Sequence, residues 1–191
     1  MQAQKPQVKF FFATPAVVDV APLVPVFHSW IQHKVLDELL IDVTEYGHVH
    51  QAPALLLVGH GSDYAVDFGE GRAGLLYSRK RGAPEDPVEC VLDAFRRALA
   101  ACKKLEEERS LKEPIRFLTD EVLFRFNDRL RAPNTKETFD AVLPTLRAAV
   151  SKVYAHESPA FEHVGSPREL FSVHVRATGA PAVSELLRRI A

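Results

Sequence analysis

The sequence predicts an α+β protein, an antiparallel sheet with helices packed mainly on one face. Its C-terminal half is expected to be ferredoxin-like (βαββαβ) and its N-terminal half a βα unit followed by a β-meander. Two observations carry this expectation. Short apolar runs in the first half are separated by glycine-bearing gaps too brief for the crossover that parallel strands need. From Leu75 onward, alternating segments and long helical stripes follow one another as strand, helix, strand, strand, helix, strand.

Taken in order, Val8 to Phe12 is a β-type run. Leu23, Val26, Phe27, Trp30 and Ile31 recur at helical spacing, which predicts a helix from about Val20 to Val35, regular only from near Pro25. Leu39–Val43, Ala54–Val58, Tyr64–Phe68 and Leu75–Arg79 are the meander strands, turned by Gly59, Gly61, Gly69, Gly71 and Gly74. Asp86, Pro87 and Glu89 stand as N-cap, first and third helical residues of a helix reaching about Glu108. Ile115–Leu118 and Val122–Asn127 flank Thr119 and Asp120, which reads as a hairpin. Asn134 and Glu137 form a second capping box before a helix that Pro144 should kink. Phe161–Val164 and the cleanly alternating Leu170–Ala177 are the last strands, and Ala182–Ile190 is a short amphipathic helix. The chain reads as a single domain over residues 1–191, with a candidate seam at residues 80–86.

Composition narrows the function. The chain has 191 residues, 24 basic against 25 acidic, and 47% hydrophobic side chains. A balanced charge argues against a general nucleic-acid binder, whose affinity rests on neutralising many phosphates. The only cysteines, Cys90 and Cys102, lie twelve residues apart on one helical pattern, about 18 Å along its axis. They cannot bond to each other, and two buried thiols fit a reducing, cytoplasmic setting. No window reaches the roughly 20 apolar residues of a membrane span.

Candidate chemistry falls into two constellations. The stretch Asp42 to Asp67 holds His48, His50 and His60 with Asp63. Two histidines spaced two apart on extended chain face the same side, so with His60 or Asp63 they could share a divalent metal and activate a water for hydrolysis. The simpler reading is a surface loop followed by a glycine turn in which Ser62 or Asp63 bonds nearby backbone. Gly59-His60-Gly61-Ser62 lacks the spacing of a nucleophile elbow, and Gly69, Gly71 and Gly74 match neither a phosphate loop nor a dinucleotide fingerprint. The second constellation follows from the fold. If Phe171, Val173 and Val175 face the helices, then His174 and Arg176 face away, beside Arg116 and Arg125, as a basic sheet surface suited to an anionic ligand. Its bland counterpart is a solvated face with arginines paired to carboxylates. The corner Arg129, Arg131, Asn134 is a lesser anion candidate.

The sequence therefore supports first a non-catalytic binding or protein-interaction module. It needs no cofactor, self-associates as a homo-oligomer, and takes a protein or an anionic small molecule as partner. The alternatives are a metal-dependent hydrolase using His48, His50, His60 and Asp63, and anion binding by Arg116, Arg125, His174 and Arg176.

Overall fold

The computed structural model describes residues 5–13, 19–46, 54–155 and 158–191. Its strands are β1 Pro6–Phe12, β2 Leu40–Glu45, β3 Leu55–Gly59, β4 Ser62–Asp67, β5 Gly74–Arg79, β6 Phe117–Phe126, β7 Ala160–Val164 and β8 Phe171–Arg176. The helices are α1 Leu23–His33, α2 Pro87–Glu106, α3 Lys136–Tyr154 and α4 Val183–Arg189. All eight strands join one antiparallel sheet in the order β2-β3-β4-β5-β1-β6-β8-β7. The α+β class is as expected.

β1 is the hinge of this arrangement. It pairs with β5 on one side and β6 on the other, so strands from both sides of the seam share one ladder. Because successive pairings are antiparallel, β5 and β6 run parallel with β1 between them, and β6 and β7 run parallel with β8 between them. Helices α2 and α3 make these two split crossovers.

Period-two alternation assigns the faces. Val8, Phe10 and Phe12 of β1 share one core with Tyr64 and Val66, Leu75 and Tyr77, Val122, Phe124 and Phe126, and Phe171, Val173 and Val175. Buried apolar residues from all four helices, including Trp30, Phe95, Leu146 and Leu186, belong to that same core, which places the helices on one face. Lys9, Phe11, Leu76 and Leu123 alternate onto the back face.

Two local expectations are corrected. Thr119 and Asp120 do not turn a hairpin, because β6 is one ten-residue strand. The register explains the signal: the step from Phe10 to Phe12 on β1 faces the longer step from Val122 to Phe117 on β6, so the polar residues are taken up in a bulge. Thr135, not Asn134, caps α3 by accepting from the Thr138 amide. Asn134 instead donates to the carbonyls of Val164 and Ser166 and bonds His163 Nε2 at 2.6 Å, tying the start of α3 to β7. Pro144 lies inside α3, which continues past it to Tyr154. The cap at Asp86 forms as read, accepting from the Glu89 amide at 2.8 Å.

Candidate functional site

The sites read from the sequence separate in the structure. His48 and His50 lie outside the described residues. His60 is exposed in the β3–β4 turn, and Asp63 pairs with Lys80 at 2.6 Å while accepting from the Gly59 amide. Among the described residues, no group of three or more His, Cys, Asp or Glu side chains is placed to hold a metal ion. No helix of the described residues is long and apolar enough to cross a membrane.

The back face does gather Arg125, His174 and Arg176, but it supplies a carboxylate for each cation. Lys9 meets Asp67 at 2.5 Å and Glu70 at 3.1 Å, and Glu70 also pairs with Arg125. Arg72 meets Glu121 at 2.7 Å while its guanidinium lies 4.0 Å from the Phe11 ring centre. Glu121 also approaches His174 at 3.3 Å and Arg176 at 3.5 Å, and Arg176 reaches Glu162 at 2.7 Å. The result is a chain of alternating charge from β4 to β7. Burial lowers the pKa of His174 in spite of its Glu121 neighbour. Burial pushes Glu121 upward, yet the hydrogen bond and charge of Arg72 outweigh it and hold the carboxyl below its ordinary value. Arg116 stands apart, donating to the carbonyls of Glu106 and Ile115. In the lesser anion corner, Asn134 is committed to β7 and the loop after it, and Arg131 reaches Asp128 only at 4.0 Å.

A different feature has room for a ligand. A cleft of about 1130 Å³ opens between the end of α1, the Gly59–Ser62 turn, the end of β5 and one side of α2. That volume suits a small molecule. Ile31, Val35, Leu39 and Leu40 line it with apolar surface, and Lys34, His60, Arg79, Arg81 and Arg97 add positive or ionisable groups. Its acidic lining residues are Asp37 and Glu38.

The floor of the cleft is built around Glu38. Its carboxylate accepts from the Gly61 amide at 3.0 Å and from Ser62 Oγ at 2.5 Å, with Arg97 at 3.9 Å. Such close seating requires glycine at residue 59, where a Cβ would lie 2.4 Å from the Ser62 carbonyl oxygen and 3.0 Å from Glu38 Cγ. The Gly-His-Gly-Ser turn is thus a cradle for a distant carboxylate. Ser62 is wholly buried with its hydroxyl donated to Glu38, which is not the setting of a nucleophile. Arg97 is held by Asp93 at 3.2 Å and by the Asp37 carbonyl at 2.6 Å, and Arg79 also pairs with Asp93. At the rim the pattern changes. Lys34, His60 and Arg81 are exposed and have no ion-pair partner among the described residues. No sequence motif announces this cleft, because its walls come from four elements far apart in the chain.

The chain matches no protein-family model and no curated protein.

Proposed function

We propose that the chain is a non-catalytic binding module, and that its ligand is a small amphipathic anion held in the cleft beside Glu38. The observation that carries this reading is the joining of an apolar wall, Ile31, Val35, Leu39 and Leu40, to a rim of uncommitted Lys34, His60 and Arg81. An apolar body buries against the wall while its anionic head meets the rim, the division of labour usual in ligand pockets. The sheet-face alternative at Arg125, His174 and Arg176 has less support, since every cation there already faces a carboxylate.

The test is a titration with octyl phosphate, octanoate and inorganic phosphate, followed by thermal unfolding and calorimetry. Octyl phosphate should stabilise the protein most, and the effect should weaken with salt. Arg81→Ala combined with Lys34→Ala should weaken its binding roughly tenfold, about 1.4 kcal/mol. No stabilisation by any of the three would overturn the reading.

Self-association is a second reading, favoured by Leu39 and Ile41, which are 66% and 56% exposed beside and on the edge strand β2. The ferredoxin-like description of the second half belongs with these proposals, supported by the split crossovers through α2 and α3. The hydrolase alternative depends on His48 and His50 meeting His60, with Asp63 released from Lys80.

A further inference from the structure

The back face contains a cradle for an oxyanion, and one of the protein's own carboxylates lies in it. Lys9, in the middle of β1, has a side chain with 0% exposure. Its ammonium donates to Asp67 Oδ2 at 2.5 Å, to the Gly69 carbonyl at 2.9 Å and to Glu70 Oε2 at 3.1 Å. Arg125 lies one diagonal step away on the adjacent strand, since Lys9 faces Leu123 and Gln7 faces Arg125. Its guanidinium binds the other oxygen of Glu70. Two cations on neighbouring strands thus take one oxygen each, the way proteins hold a free carboxylate or phosphate.

The strands themselves do not balance this pair. Asp67 is a fixed counter-ion for Lys9 and also acts on Arg125, as does Glu169, but the direct ion pair of Arg125 is with Glu70, which stands off the sheet in the segment Gly69–Gly71. Glu70 has a left-handed backbone, φ 59°, and Gly71 follows at φ 68°. That conformation is unfavourable for a residue with a Cβ. The Glu70 side chain is 35% exposed, so the carboxylate reaches the cations from the solvent side. Burial lowers the pKa of both Lys9 and Arg125, and the charge of Asp67 opposes it at each, with Glu169 adding to the effect at Arg125.

We infer that Lys9 and Arg125 form a binding site for a compact oxyanion, a carboxylate or a phosphate, and that Glu70 is a built-in occupant which an external anion displaces by lifting the strap from Gly69 to Arg72. Binding to the wild type is weak because the tethered carboxylate competes at high effective concentration. This site is separate from the cleft and does not rest on it.

The experiment compares the wild type with Glu70→Gln and Glu70→Ala in sodium acetate, sodium phosphate and sodium chloride at matched ionic strength. Either variant should gain a saturable, anion-specific rise in melting temperature and bind at least tenfold tighter than the wild type, and adding Arg125→Gln should abolish the gain. The Gln variant preserves the size of the strap if the Ala variant fails to fold. In the wild type, amides 69 to 72 should exchange hydrogen faster in phosphate than in chloride. Absence of an anion-specific gain in the folded variants, survival of that gain with Arg125→Gln, or equal exchange in the two salts would each overturn the inference.

Discussion

His174 illustrates how register decides the chemistry of one residue. Opposite Leu123 on the back face, its ring meets the edge of Phe11 at 6.0 Å and its Nδ1 lies near Glu121 and Arg176. Burial lowers its pKa from 6.5, Glu121 and Glu162 oppose that, and Arg176 and Arg72 reinforce it. The folded protein therefore binds this proton less readily than the unfolded chain. Stability on this account is complete above about pH 6.5 and declines as pH falls from there toward the depressed value, by at most about 1.4 kcal/mol per pH unit. Urea midpoints at pH 7.5, 6.5 and 5.5 should show a loss in the wild type that His174→Gln largely removes; parallel curves for the two proteins would refute it. Glu121, held below 4.5, adds its own loss only in more acid solution, as the pH falls through its folded value. The sequence placed Arg125, His174 and Arg176 on one face by simple alternation. It did not reveal Glu70, Arg72 or Lys9 as their neighbours, because a strap that folds back over the sheet has no periodicity to read.

At the scale of elements, α3 offers the plainest energetic test. Pro144 is exposed, has no amide proton to donate, and leaves the Asp140 carbonyl without its usual partner in the helix. Pro144→Ala should raise stability by about 1–3 kcal/mol, read as a higher denaturant midpoint with an unchanged slope. A lower midpoint would show that the proline geometry is needed for packing. The helices were legible because their signals are local: Asp86, Pro87 and Glu89 begin α2, and the stripe from Val91 to Leu105 carries it. The meander was legible for the same reason, with glycines marking its turns. β6 was misread because Thr119 and Asp120 carry the chemistry of a turn. Only the partner strand distinguishes a turn from a bulge, and that partner is β1, more than a hundred residues earlier. The Glu38 cleft was illegible on similar grounds, since the cradle at Gly59–Ser62 looks like any tight turn until Glu38 arrives from the α1–β2 connection.

Over the whole molecule, the near-neutral charge of −1 is the sum of 24 basic and 25 acidic side chains, many of them paired across the back face. Unpaired cations remain at the cleft rim, next to the exposed apolar residues of the β2 edge. Asp42 already accepts from the outward amide of Val43 at 2.8 Å, which blunts the edge as a template for another strand. The exposed side chains Leu39 and Ile41 remain as apolar contact surface there. Sedimentation at micromolar concentration should therefore give a dimer, and Ile41→Asp should raise its dissociation constant tenfold or more; a strictly monomeric wild type would rule out the self-associating reading. The position of β1 has a further consequence, for synthesis. Its hydrogen-bonding partners are residues 74–79 and 117–126, so the middle of the sheet cannot close on a ribosome-bound chain until Phe126 has emerged. Until then β1 can pair only with β5 and its other edge stays open, and pairing over such sequence distances favours slow folding with transient exposure of Phe10, Phe11 and Phe12.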